Sequence, residues 1–507
     1  MTHCHISRVV SILICILCCA SVRVAVAAAS RPNIVYILCD DLGYGDVHAL
    51  NPERGKIPTP NIDKLAAQGM VFTDAHAGSS VCTPSRYGIL TGRYCWRTKL
   101  QSSVLSGTSD PLIATDRMTV ASLLKQHGYG TACLGKWHLG LRFGSHMGTD
   151  PIDDGPLQHG FDYFFGISAS LDMPPFAFIE NSRFTQDLTV QKKWVRSGPA
   201  AKDFDAMNVV PELVHKATTY IGDHANEAKS GKPFFLYLAL TSPHTPLVPT
   251  PDWQGKSPLG TYGDFVMETD WAAGEVFKAL DSGGVADDTL VIFTSDNGCA
   301  PYIGVKELEA KGHFPSAQFR GYKADIWDGG HRIPFIARWP KRVKAASTSR
   351  QLICLTDLMS TCADLLGKKL PDNVAEDSVS ILPALLSEDE APLREAVIHH
   401  SITGMFAIRQ GNWKLELCPG SGGWAAPKDP AARKQGLPPI QLYDMKDDEG
   451  EKRNVESANP LVVEHLFKLL EKYIADGRST PGSVQKNDAP IDIWKAPSAS
   501  TRNAIGD

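Results

Sequence analysis

Positive charge is what this sequence is short of: 51 Lys and Arg stand against 56 Asp and Glu, a formal net charge of −5. That balance excludes nucleic acid as the main partner, because binding it takes a clear excess of basic residues to displace counterions. It does not exclude an anionic ligand, since a few cations focused in a cleft matter more than the sum. Long hydrophobic runs are scarce too. The first 29 residues hold the one notable run, Val9 to Ala20, and it is short of the roughly 20 residues that span a bilayer. Cysteine is sparse beyond that leader: Cys39, Cys82, Cys95, Cys133, Cys299, Cys354, Cys362 and Cys418 include no C-x-x-C pair and no zinc-like spacing. Repeats and low-complexity arrays are absent. The 43% hydrophobic and 21% charged content excludes disorder across the whole chain.

The N-terminus carries an address. Met1 to Arg8 has one Arg, two His and no acid, the apolar run follows, and Val24 to Ala29 supplies small residues suited to signal peptidase. This predicts a secretory signal over residues 1–29, cut near Ala27 or Ala29. The residues before Cys18-Cys19 are not those of a lipoprotein signal. The expected product is exported, periplasmic or extracellular (lysosomal if the source is eukaryotic), with no membrane association after cleavage. Export permits disulfides, but a chain this long does not need them to fold.

Asn33 to Leu38 is a near-continuous apolar run, as in a parallel strand buried on both faces. Helix and strand signals then alternate: helix 61–68 stopped by Gly69, helix 120–127 stopped by Gly128, strand 131–134, helix 211–228, strand 234–240, helix 265–280 and strand 290–294. That order predicts an α/β fold with a large, mostly parallel, doubly wound sheet flanked by helices. From about Leu370 the texture changes. A linker is expected over 371–392, then a smaller α+β domain over 393–480 with short antiparallel strands, a strand at 441–443 and a helix at 460–475. An extended tail over 481–507 closes the chain. The first domain is assigned 30–370.

Unusual polar residues fall where these strands end, the edge at which open α/β sheets bind ligands. Asp40 and Asp41 end the first strand; Lys136 and His138 follow the strand 131–134; His244 follows 234–240; Asp296 and Asn297 follow 290–294. Singly, each is an ordinary turn or cap residue. Together they bring charged and metal-binding groups from four strands to one edge. Asp40, Asp41, Asp296 and Asn297 offer only oxygen ligands, which suits Ca²⁺, or less well Mg²⁺, rather than zinc.

The sharpest local signal is Cys82-Thr83-Pro84-Ser85-Arg86, running on to Leu90-Thr91-Gly92. Pro84 suits a first helical turn and Gly92 a helix stop, which puts Cys82 at a helix N-terminus that favours anions. From the residues alone, Cys82 is either a low-pKa thiolate nucleophile or a structural cysteine. The motif resembles the signature of the type I sulfatases, whose fold is alkaline-phosphatase-like. The resemblance extends over Asp40-Asp41, Gly135-Lys136-Trp137-His138, Ser242-Pro243-His244, Asp296-Asn297-Gly298, Arg320 to Lys323, Gly329 to Pro334, and Gln441 to Asp444 with Glu451. One departure is Met359 before Ser360-Thr361, where many relatives carry proline before the threonine.

The resemblance implies a sulfuric ester hydrolase in which a maturation enzyme oxidises Cys82 to formylglycine. One hydroxyl of the hydrated aldehyde attacks sulfur, and loss of a proton from the other expels sulfate. It further implies one Ca²⁺ held by Asp40, Asp41, Asp296 and Asn297 next to residue 82. Arg86 would bond the diol, Lys136 and Lys323 the sulfate oxygens, His244 would serve as general acid and His138 as base. Relatives that act on phosphodiesters tend to carry His where this chain has Asn297, which favours sulfate. The loops 168–178, with Asp172, Phe176 and Phe178, and 301–319 are expected to frame the alcohol, and a sulfated carbohydrate is the expected substrate.

Overall fold

A computed structural model describes residues 31–387 and 391–495; the predicted signal segment lies outside the described residues. Ten strands form one sheet in the order Ser347–Ser349, Met70–Phe72, Phe335–Arg338, Thr289–Ser295, Asn33–Cys39, Phe234–Ala239, Gly130–Lys136, Tyr163–Ile167, Ile179–Glu180 and Arg183–Phe184. The central five, from Thr289–Ser295 to Tyr163–Ile167, run parallel. Phe335–Arg338 pairs antiparallel on one flank and Ile179–Glu180 on the other.

Each central strand is buried along nearly its whole length because both of its faces are covered. Ile34, Tyr36 and Leu38 pack toward the helices Cys82–Thr91, Val120–Gln126 and Leu358–Leu365 through Ile89, Leu123 and Met359. The alternate residues Val35, Ile37 and Cys39 pack toward Pro60–Gln68, Val209–Lys229 and Thr261–Ser282 through Leu65, Leu213 and Val276. The period of two in a strand sends successive side chains to opposite layers, so one apolar run serves two cores. Helix starts follow local chemistry. Thr119 accepts from Ser122 N at 3.1 Å while Ser122 Oγ accepts from Thr119 N at 2.9 Å, a reciprocal cap on Val120–Gln126. Leu358–Leu365 forms without a proline at its start.

Near the C-terminus a separate antiparallel sheet runs Val397–His400, Phe406–Gln410, Trp413–Glu416, Gln441–Asp444. One face packs on the helix Pro460–Ala475, with Ile398, Ile408, Leu415 and Leu442 against Leu466 and Leu470. The other bears Ala407 and Tyr443 and meets Ile326 and Trp327 of the larger layer. The stretch between the sheets is pinned: the buried Asp377 carboxylate takes two hydrogen bonds from Arg97, at 2.8 Å each. The glycine-rich segment that opens at Pro419 also holds a short helix, Asp429–Lys434. All eight cysteines of the described chain are free and buried. Among the described residues no helix is long and apolar enough to cross a membrane.

Candidate active site

Register fixes the geometry of the site. Thr294, Leu38, Ala239, Gly135 and Gly166 form one row across the five parallel strands. Asp296, Asp40, Lys136 and His244 therefore leave the sheet at the same edge, one to five residues beyond that row. Close backbone approach demands glycine there. A Cβ on Gly135, at φ +111°, would lie 1.9 Å from the Ala239 carbonyl oxygen. Two non-glycine residues at this edge, Asp41 (φ 66°) and His138 (φ 54°), hold left-handed backbone. That conformation costs about 1–3 kcal/mol each and concentrates at functional sites.

Helix Cys82–Thr91 is buried along its whole length and ends at Gly92, which is left-handed at φ 65°. Its N-terminus brings Cys82 within 4.8 Å of ligand atoms of Asp40, Asp41 and His244. Three carboxylates and three fixed cations interlock around it. Lys136 Nζ donates to both Asp40 oxygens at 2.8 Å, and Lys323 Nζ to Asp41 Oδ2 at 2.8 Å. Arg86 donates through Nε and Nη2 to Asp296 Oδ2 at 3.0 and 2.8 Å, and through Nη1 to the Lys136 carbonyl at 3.0 Å. Asn297 Nδ2 donates to Asp41 Oδ1 at 2.8 Å, while Asn297 Oδ1 is buried with no hydrogen-bond partner. The residues assigned catalytic or ion-binding roles from the sequence thus gather here, and all are buried.

Electrostatics decide what Cys82 can be. Burial pushes its thiol up to about 12, and the nearby Lys136 and Lys323 do not reverse that. Burial therefore works against a thiolate at Cys82. Burial also pushes the Asp40 carboxyl up, but Lys136, His244 and Arg86 outweigh it and hold the group below its ordinary value. Lys323 is held well above the ordinary range by Asp41 in spite of burial. Burial and Lys136 drive His138 well below its ordinary value, so its ring is neutral. Its Nε2 lies 2.8 Å from the Leu105 carbonyl, which fixes the proton there and leaves buried Nδ1 as the free acceptor. His244 Nδ1 faces the Thr245 carbonyl at 2.5 Å, and Nε2 stands 3.6 Å from Asp41 Oδ2.

Of the expected alcohol-framing loops, 301–319 carries the exposed Tyr302, while the aromatics of 168–178 turn inward. Phe176 is buried against Trp194 (centroids 4.8 Å apart) and Phe178 stacks on Phe165 at 5.0 Å, so both belong to an aromatic cluster of the core. Asp172 is buried and ion-paired with Arg196 at 2.5 Å.

A second polar cluster escaped sequence reasoning. His76, His331 and His399 are buried together between the two sheets. His76 Nε2 meets Asp74 at 2.8 Å, His76 Nδ1 meets His331 Nδ1 at 3.0 Å, and Lys414 Nζ lies 3.3 Å from His331 Nε2. Lys414 continues the chain to Asp328 at 2.9 Å and Glu451 at 2.5 Å. His331 Nε2 also lies 3.0 Å from the Ile326 carbonyl oxygen, and Arg409 Nη1 lies 3.3 Å from His76 Nε2. The His331 and His399 rings stack 3.8 Å apart at 11°; lone pairs lying in near-parallel planes do not converge on one ion. The cluster is a structural relay that ties the layers together. His331 and Glu451 stand inside recognised motifs, yet nothing in local spacing reveals that Lys414 joins them.

A family profile described as Sulfatase matches residues 32–368. The N-acetylgalactosamine-6-O-sulfatase of Bacteroides thetaiotaomicron is 36% identical over 495 residues, covering 87% of this chain and 93% of that protein. Bovine arylsulfatase A is 33% identical over 505 residues, covering 94% and 95%. A solved structure from work on the metabolism of multiple glycosaminoglycans by Bacteroides thetaiotaomicron superposes with a TM-score of 0.79 at 34% identity, covering 88% of this chain and 99% of that one. The fold, the strand-end site and these likenesses agree: the chain belongs to the sulfatase family and is a sulfuric ester hydrolase.

Proposed function

We propose that this sulfatase removes sulfate from a sulfated carbohydrate, with residue 82 oxidised to formylglycine and a calcium ion held by Asp40, Asp41, Asp296 and Asn297 beside it. The observation that carries the reading is the ring of charge at the N-terminus of the Cys82 helix, three carboxylates interlocked with Arg86, Lys136 and Lys323. The donors fit a hard cation: three carboxylates and the unpartnered Asn297 Oδ1 supply oxygens alone. Mg²⁺, which demands stricter octahedral geometry, fits the family less well. When bound, the ion would polarise the sulfate oxygens and acidify the hydroxyl at residue 82. A divalent charge added to a ring of three anions and three cations leaves it positive, which suits an anionic ester.

The chain's own groups then divide the work. Each lysine ammonium has three N–H donors, so Lys136 and Lys323 can hold a carboxylate and a sulfate oxygen together as charge develops. Arg86 orients the diol at residue 82, one helical turn away. His244 acts as the general acid: in the imidazolium, Nδ1–H is taken by the Thr245 carbonyl and Nε2–H is the transferable proton. His138 acts as the base through its free Nδ1. The buried thiol supports the view of Cys82 as a precursor for a maturation enzyme rather than a nucleophile in its own right.

The carbohydrate assignment is supported by the acetylgalactosamine named for one relative and the glycosaminoglycans named with the solved structure. Export through the 1–29 signal fits an extracellular or periplasmic glycan, and the net charge of −5 fits the expectation of no nucleic acid partner. The division proposed is a catalytic domain over 30–370, a linker over 371–392, a smaller domain over 393–480 and a tail over 481–507. Sulfate release from a panel of defined sulfated mono- and disaccharides tests the reading. Turnover of at least one sulfated sugar is expected, and release from simple aryl sulfates alone would overturn the carbohydrate assignment.

A further inference from the structure

Two exposed aromatic rings stand on the loops that carry the site. Among the described residues, Tyr302 (52% exposed) and Trp424 (37%) are the aromatic members of the exposed large hydrophobic set. They are neighbours, with centroids 5.9 Å apart and planes at 47°. The tilt leaves each ring open to solvent instead of burying both in a mutual stack.

Both are tied to residues already placed at the chemistry. Tyr302 follows the Asp296-Asn297 loop, and its hydroxyl sits against the side chain of Thr245, the neighbour of His244. Trp424 comes from the other direction, on the segment after the antiparallel strand Trp413–Glu416. Its backbone is clamped onto the Lys323 loop: Trp424 N and Ala425 N donate to Asp325 Oδ1 at 2.8 and 3.0 Å, and Ile326 N to the Ser421 carbonyl at 2.7 Å. A Cβ on Gly423 would lie 2.3 Å from the Ala324 carbonyl oxygen, so the approach is as close as backbone allows. The Trp424 loop is thus fixed through main chain. The bond from Lys323 N to the Cys299 carbonyl at 2.8 Å ties the segment just before Tyr302 to the same Lys323 loop, while the rings stay exposed. Core packing does not account for that arrangement; an apolar ligand face does.

We propose that Tyr302 and Trp424 form an aromatic platform for the pyranose ring that bears the scissile sulfate. The inference rests on the carbohydrate reading above and names the contact that would select it. The leaving oxygen is placed at His244, and Tyr302 adjoins that residue through Thr245, so the sugar carbons emerge beside the two rings. A pyranose presents a C–H face of moderate apolarity that an aromatic face covers, while its hydroxyls remain free for polar partners. The platform binds the sugar in ground state and transition state alike. It therefore acts on KM more than on kcat.

The test uses the matured full-length enzyme and the variants Trp424→Ala, Tyr302→Ala and Trp424→Phe. With the preferred sulfated monosaccharide, each alanine variant is expected to raise KM by roughly ten-fold, the scale of one aromatic contact, with kcat changed less than about three-fold. Inhibition by inorganic sulfate, which needs only the charged ring around residue 82, should stay at the wild-type value. Trp424→Phe should recover most of the affinity. An unchanged KM in both alanine variants would overturn the platform, as would a parallel loss of sulfate inhibition and thermal stability, which marks a merely structural role. If the wild type releases sulfate from no sugar, the carbohydrate reading fails and takes the platform with it; if it does so and the variants match it, the platform alone fails.

Discussion

Around Cys82 the side chains hold each other in place through paired carboxylates and cations, and in the proposed mechanism they also face the substrate. The two histidines separate cleanly. His138 has one nitrogen fixed on the Leu105 carbonyl and a free Nδ1, whereas His244 directs Nε2 to the side of Asp41. A general acid matters in proportion to the basicity of the leaving oxygen. His244→Ala is therefore expected to cut kcat on a sulfated sugar by roughly 10²–10⁴-fold, and on nitrophenyl sulfate by far less. Equal losses on both substrates would remove His244 from that role. These positions were legible in the sequence because each follows a strand that reads plainly as a strand. Of the two proposed sugar-facing aromatics, Tyr302 lies in the loop 301–319 that the sequence marked, whereas Trp424 was not marked. Phe176 and Phe178 looked suitable and lie in the core cluster, since an aromatic after a strand can fill a core as well as a pocket. Trp424 stands more than a hundred residues from its partner Tyr302, and their meeting depends on long-range docking.

Strands and helices were readable to within a few residues wherever burial is two-sided or an amphipathic stripe is long. Thr289–Ser295 and Pro460–Ala475 are examples. Short flanking strands such as Met70–Phe72 and Phe335–Arg338 carry too little pattern, and their pairing is set by distant partners. In the small sheet the alternation of Trp413, Lys414 and Leu415 gave the faces correctly. It did not disclose that the polar face is covered, where Lys414 is fully buried against Asp328 and Glu451. Covering that face buries His399 with His76 and His331, while His400 is buried on the opposite face beside Phe406, with a consequence for pH. Burial lowers His76 to about 4 and His400 to about 3, and holds His331 and His399 well below the ordinary value. Their folded pKa values lie below the unfolded one near 6.5. The stability they contribute is therefore complete above pH 6.5 and drains as pH falls toward 4, by about 1.4 kcal/mol per pH unit for each group. Glu268, raised to about 7 by burial, acts with the opposite sign. The clean measurement is accordingly a difference. His400→Leu should unfold with a shallower loss of urea midpoint between pH 7 and 4.5 than the wild type. Parallel pH profiles would show that His400 is not held neutral by the fold.

At the scale of the molecule, the large sheet carries the Cys82 helix and the loops proposed to hold the ion, and the antiparallel sheet supplies the loop that carries Trp424. The two are joined by the Asp74–His76–His331–Lys414 relay and by Ile326 and Trp327 against Ala407 and Tyr443. The mouth of the site is thus composite, with charge from one layer and an aromatic wall drawn partly from the other. The central claim is that the chain is a precursor whose chemistry depends on residue 82 losing its sulfur. Mass analysis of tryptic peptide 65–86 from enzyme that is actively releasing sulfate tests it most directly. The account predicts that the sulfur and two hydrogens of Cys82 are replaced by one oxygen. An intact thiol at residue 82 in fully active protein would contradict it.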